Sequence, residues 1–148
     1  MDGVPVLLIS IPVIAAIAGV VVLLFRRWQQ RNRTSGAPGA PPVLCGIRGT
    51  YAGVTIPFDG KPIIIGRDPA VAHLVFPQEE RSVSGKHCAL TYDGTRVMIE
   101  DYRSTNGTYL DNGSRIEPGR RLVLRPGTRF YVGSRDNTFE LQQQGPLS

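Results

Sequence analysis

Apolar positions along this 148-residue chain fall into two unlike patterns. From Val4 to Phe25 the sequence VPVLLISIPVIAAIAGVVVLLF runs for 22 residues without a charge. As a helix rising ~1.5 Å per residue it spans roughly 33 Å, enough to cross a ~30 Å hydrocarbon core. Pro5 falls near the helix start, where proline is tolerated, and Pro12 is expected to kink it. The pattern predicts one transmembrane helix over residues 4–25. After residue 43 the apolar runs become short and alternating: VLCGIRG, AGVTIPF, KPIIIG, AHLVF, KHCALTY, TRVMIED, RLVLRPG, TRFYVG and TFELQ. Asp59-Gly60, Asp93-Gly94, Asn106-Gly107 and Asn112-Gly113 punctuate them, and turn signals recur about every 8–12 residues, the rhythm of a β-sandwich or barrel. No stretch there carries a three-turn amphipathic helix. In KHCALTY, alternation puts His87, Ala89 and Thr91 on one face and Cys88, Leu90 and Tyr92 on the other.

The organisation that follows is a membrane helix (4–25), a basic juxtamembrane segment and flexible linker (26–43), an all-β domain (44–142) and a short tail (143–148). The linker portion RNRTSGAPGAPPV lacks periodicity and reads as solvated chain, although Thr34 and Ser35 offer hydroxyls to a kinase. A cleaved signal peptide would need positive charge ahead of the apolar run, where only Asp2 and the α-amino group stand. Instead Arg26, Arg27, Arg31 and Arg33 follow it, with Trp28 at interface depth, so the positive-inside rule places the N-terminus outside and the β domain in the cytoplasm of a cell (inner or plasma) membrane.

Charge changes the picture less than its sum suggests. The net charge of +5 comes from 17 basic and 12 acidic residues. Removing the four juxtamembrane arginines and Asp2 leaves 13 against 11, or +2, for the β domain. That is too little to argue for nucleic acid, and the aromatics fall on strands without a basic stripe. Cys45 and Cys88 match no metal spacing and read as free thiols. His73 and His87 pair with no nucleophile, and no phosphate-cradling glycine loop leads into a helix, so neither enzyme, metal nor cofactor is expected.

Three polar clusters stand at strand ends: Gly66-Arg67-Asp68-Pro69 after IIIG, Ser84-Gly85-Lys86-His87 before CALTY, and Asp101-Tyr102-Arg103-Ser104-Thr105-Asn106-Gly107-Thr108. Together with the distal glycine of YVGS, in this order and spacing, they resemble the forkhead-associated (FHA) domain over roughly Leu44 to Gln142. The resemblance implies a β-sandwich of about eleven strands whose loops at one end bind phosphothreonine peptides. It implies that Arg67 and Ser84 donate to the phosphate, that Thr105 contacts the phosphothreonine and that Asn106 holds the peptide main chain. Gly66, His87 and Gly107 would be structural: Gly66 letting the chain turn, His87 bracing loops, Gly107 supplying positive φ.

One position departs from the pattern. Gly85 stands where many members carry Arg or Asn, which removes a side-chain contact; Lys86 and Arg103 are candidate substitutes, with Lys86 also reading as a strand-edge residue that points elsewhere. Arg81 reads as a solvated charge beside Glu79 and Glu80. The expected partner is a phosphothreonine protein produced by a separate Ser/Thr kinase. The alternative is a membrane scaffold with a degenerate site that ignores phosphate.

Overall fold

The computed structural model describes residues 40–144. The predicted membrane helix over 4–25, nearly all of the linker and residues 145–148 lie outside them. Among the described residues no helix is long and apolar enough to cross a membrane.

Among the described residues ten strands form two five-stranded sheets. They are β1 (Val43–Gly46), β2 (Thr55–Pro57), β3 (Ile63–Gly66), β4 (Leu74–Val75), β5 (Cys88–Tyr92), β6 (Val97–Asp101), β7 (Thr108–Leu110), β8 (Arg121–Leu124), β9 (Arg129–Val132) and β10 (Thr138–Gln142). One sheet runs β2-β1-β10-β9-β7 and the other β4-β3-β5-β6-β8. All pairs are antiparallel except β3 with β4. The fold is the FHA-type β-sandwich. The implied count of about eleven strands becomes ten because the segment after β7 pairs through one bridge only, Tyr109 to Arg115. The turn Asp111–Gly113 folds it back, with Ile116 N–H donating to the Thr108 carbonyl at 2.8 Å.

The core lies between the sheets. Leu44, Ile65, Leu90, Ile99, Phe130, Phe139 and Leu141 are fully buried. Phe139 stacks on Phe130 at 5.6 Å between ring centroids and meets Phe76 edge-on at 6.4 Å. Each such buried aromatic contributes about 1.5–3 kcal/mol through the water it sheds. The alternation of KHCALTY holds for Cys88 and Leu90, which face the core. Ala89 points to the other face yet is buried, lying in register between Ile64 and Glu100 on the neighbouring strands. His87 precedes β5 and is completely buried, unlike a residue on a solvent face. Both thiols are free, Cys88 buried and Cys45 partly exposed.

One end of the sandwich positions the polar clusters. There β3, β6 and β9 finish while β5, β7 and β10 begin, so the connections at 67–73, 76–87, 102–107 and 133–137 crowd together.

Candidate functional site

Backbone hydrogen bonds lace these loops. Arg67 N–H donates to the Ser84 carbonyl at 3.1 Å, and Asp68 N–H to the Gly85 carbonyl at 3.0 Å. This close run explains Gly66. It is the last residue of β3 and has no positive φ, so its own backbone conformation does not demand glycine. A Cβ there would sit 2.0 Å from the Gly85 carbonyl oxygen, and only glycine lets the two backbones pass.

The Arg67 guanidinium is held from one side. Its Nε donates to the Val83 carbonyl, and Nη1 to the Gln78 carbonyl at 3.1 Å; Gln78 Nε2 returns a bond to the Arg67 carbonyl at 2.8 Å. Nη2 has no protein partner among the described residues. Asp68 makes no ion pair with Arg67; its carboxylate accepts the Ala70 N–H at 2.9 Å.

Ser84 Oγ accepts the Thr105 N–H at 3.1 Å, which leaves the hydroxyl proton available to a ligand. Thr105 and Asn106 are exposed. The Asn106 amide nitrogen donates to the Ser82 carbonyl at 3.0 Å, so it is already used by the protein, while its oxygen remains open. The fold thus brings Arg67, Ser84, Thr105 and Asn106, spread over 40 positions of sequence, onto one hydrogen-bonded surface.

His87 joins the loops beneath that surface. Its Nδ1 accepts the Ser84 N–H at 3.0 Å and its Nε2–H donates to the Gly107 carbonyl at 2.9 Å. These two bonds fix the neutral tautomer. Burial pushes the His87 pKa below the ordinary value, outweighing the Gly107 carbonyl and the nearby Asp101, which push it up. A buried histidine with a depressed pKa takes up its proton on unfolding. Its contribution to stability is therefore complete above about pH 6.5 and falls as pH drops through the depressed value, by up to ~1.4 kcal/mol per pH unit. Urea melts at pH 7.5 and pH 5 are expected to show this acid loss in the wild type and a shallower one in His87→Asn.

Asp101, to which the sequence reading gave no role, is the second buried anchor. Its Oδ1 accepts the Ser104 N–H at 2.9 Å, and its Oδ2 accepts both the Ser104 and Thr108 hydroxyls at 2.6 Å. Ser104 Oγ in turn accepts the Gly107 N–H at 3.0 Å. The Asp-x-x-Ser spacing was the available cue, since an aspartate so placed can close a turn on the residue three ahead. Gln78, which grips Arg67, had no sequence cue.

The auxiliary candidates separate. Lys86 is exposed with its Nζ 4.0 Å above the Tyr102 ring, a cation–π contact at the rim. Arg103 is exposed and adopts φ of 54°, in the left-handed region unusual for a side chain of its size. Arg81 is exposed and forms no ion pair with Glu79 or Glu80 among the described residues. Gly85 has neither positive φ nor crowding: a Cβ would meet only Asp68 Cβ at 3.5 Å, an ordinary contact.

Arg96, Arg120, Arg121, Arg129 and Arg135 are paired with carboxylates. Arg67, Arg81, Lys86 and Arg103, all on loops at the site end, have no carboxylate partner among the described residues, and neither do Arg48, Lys61, Arg115 and Arg125. That end carries positive charge available to an anion.

Comparison with known proteins agrees with the architecture. Residues 63–133 match the FHA domain family. A segment of 54 residues is 43% identical to Protein FraH of Nostoc sp. (strain PCC 7120), covering 36% of this chain and 18% of that protein, so the match spans less than a fifth of its length. The crystal structure of the FHA domain of CT664 from Chlamydia trachomatis is similar at 28% identity and a TM-score of 0.60, over 72% of this chain and 100% of that one. EmbR of Mycobacterium tuberculosis, solved with a low-affinity phosphopeptide, is similar in fold at 24% identity and a TM-score of 0.60, over 90% of this chain and 31% of that one.

Proposed function

We propose that this FHA-fold domain is a phosphothreonine-peptide reader carried on a membrane anchor, acting by recruitment rather than catalysis. The observation that carries the reading is the pairing of Arg67 with Ser84. One presents an unspent guanidinium edge, the other an unspent hydroxyl proton; carbonyls of the loop that carries Ser84 hold Arg67, and the Thr105 N–H holds the Ser84 hydroxyl. A phosphothreonine brings a charge of about −1.5 to −2 and three acceptor oxygens, which such charge-assisted donors suit. Thr105 lies beside Ser84 to contact the phosphothreonine. Asn106 holds the peptide main chain through its open amide oxygen, while its nitrogen stays on Ser82. His87 and Asp101 hold these groups in place without touching ligand.

Residues 4–25 would anchor the chain, with Arg26, Arg27, Arg31 and Arg33 on the cytoplasmic side. Tethering a reader to a membrane raises local concentration, so modest single-site affinity suffices. The phosphate would come from a separate Ser/Thr kinase. The phosphopeptide bound by EmbR supports this reading by likeness of fold. The competing reading, a scaffold that ignores phosphate, draws on the departure at Gly85.

The test is selection of peptides by the full chain from a phosphothreonine library with unphosphorylated controls. Retention that depends on phosphate supports the reader. Retention indifferent to phosphate supports the scaffold. A gain is also expected at Gly85: the space there admits a side chain, so Gly85→Arg should tighten phosphopeptide binding about three- to tenfold with little change in melting temperature, by adding one charged contact. Titration calorimetry of the two proteins measures it.

A further inference from the structure

Beside the Asn106-Gly107 turn lies a group of side chains to which phosphate recognition gives no role. Arg115 Nε packs over Gly107, 2.8 Å from where a Cβ would stand. The bridge to Tyr109 and the bonds Leu110 N–H to Ser114 carbonyl (2.9 Å) and Ile116 N–H to Thr108 carbonyl (2.8 Å) fix the backbone at Arg115. Its guanidinium lies 6.0 Å from the Tyr109 ring centroid. Tyr109 stacks on Tyr131 at 5.1 Å with 12° between ring planes, and the Arg135 guanidinium lies 4.9 Å from the Tyr131 centroid. Tyr109 on β7 and Tyr131 on β9 thus form one stacked pair with an arginine beside each ring, Arg115 by Tyr109 and Arg135 by Tyr131.

The two arginines differ in what they have left to offer. Arg135 is committed to Asp111, 3.8 Å from its carboxylate and 3.3 Å from its carbonyl oxygen. Arg115 is exposed and makes no side-chain hydrogen bond or ion pair among the described residues. A guanidinium laid against an aromatic face keeps its planar fork available and loses little further freedom on binding a bidentate anion.

We propose that Arg115 is a specificity-determining residue that selects peptides carrying an anionic group, a carboxylate or a second phosphate, beside the phosphothreonine. The inference rests on the phosphothreonine reading above. A peptide whose main chain is held at Asn106 would pass Arg115, because the Arg115 side chain packs over the adjoining residue, Gly107. The Arg–Tyr face then ranks peptides that Arg67 and Ser84 would bind equally.

The experiment titrates the full chain with phosphothreonine peptides that differ in one residue scanned along each side: glutamate, lysine, or phosphoserine. Wild type is expected to prefer glutamate over lysine on one side by about fivefold, in the range of solvent-exposed ion pairs, and more weakly as salt rises. Arg115→Gln is expected to lose the preference while keeping phosphate dependence, and Arg115→Lys to keep part of it. Matching thermal melts for the three proteins exclude misfolding as the cause. A larger preference for phosphoserine than glutamate, lost in Arg115→Gln, identifies the anion as a second phosphate. No acidic preference in wild type, or one that survives Arg115→Gln, overturns the role of Arg115 and leaves phosphothreonine reading intact. No phosphate-dependent binding at all overturns both.

Discussion

Replacing Arg67 with alanine is expected to weaken phosphothreonine-peptide binding by roughly 30- to 1,000-fold. The estimate takes one or two hydrogen bonds to a charged group, together about 2–4 kcal/mol, converted at ~1.4 kcal/mol per tenfold. The same substitution removes the Nε bond to Val83 and the Nη1 bond to Gln78. A stability loss of about 1–2 kcal/mol should accompany it. Arg67→Lys separates the two effects: it keeps a point charge but has no planar fork to reach Val83, Gln78 and a phosphate at once. Binding should recover only in part, and its salt dependence should persist. Calorimetric titrations read together with urea melts measure both. A fully folded Arg67→Ala protein that binds the phosphopeptide as wild type does would remove Arg67 from the site.

The second large effect is at Asp101. Its carboxylate is completely buried and takes three donors, the Ser104 N–H and two hydroxyls. In Asp101→Ala those buried donors lose their acceptor, and each unsatisfied buried group costs about 1–3 kcal/mol. Partial relaxation of the loop brings the expected loss to ~3–5 kcal/mol, a large share of the 5–15 kcal/mol typical of a domain. Asp101→Asn keeps an acceptor for the Ser104 N–H and offers an N–H to the two hydroxyl oxygens, so ~1–2 kcal/mol is expected there. Because Ser104 Oγ also holds the Gly107 N–H, the loop bearing Thr105 and Asn106 should loosen in both variants. Equilibrium urea denaturation ranks them. Equal losses in Ala and Asn would place the requirement in the charge rather than in the hydrogen bonds.

The sequence made the strands and polar clusters legible because both rest on local rules. Turn chemistry at Asn106-Gly107 and Asn112-Gly113 announces itself, and the structure gives Gly107 and Gly113 φ of 85° and 87°. Apolar alternation locates β5 and β6 to within a residue or two. What escaped reading is decided between distant segments. The need for glycine at Gly66 comes from the carbonyl of Gly85, nineteen positions on, and not from its own φ. His87 is buried because two loops close over it, so alternation in the strand it precedes says nothing about its exposure. The hydrogen bonds from Thr105 N–H to Ser84 Oγ and from the Asn106 amide to the Ser82 carbonyl cross more than 20 residues. Sequence could name the residues there, but not that half of the Asn106 amide is already spent. Asp101 was hidden for a different reason: an acid at the end of a strand looks solvated until its three donors are in view.

The position of a bound phosphate tests phosphothreonine recognition most directly. The measurement is a crystal structure of the full chain with the strongest phosphothreonine peptide from the library. The expected result is a phosphate within hydrogen-bond reach of the Arg67 guanidinium and the Ser84 hydroxyl, with the peptide main chain against Asn106. A peptide bound elsewhere, or bound at these loops with its phosphate turned to solvent, would contradict it.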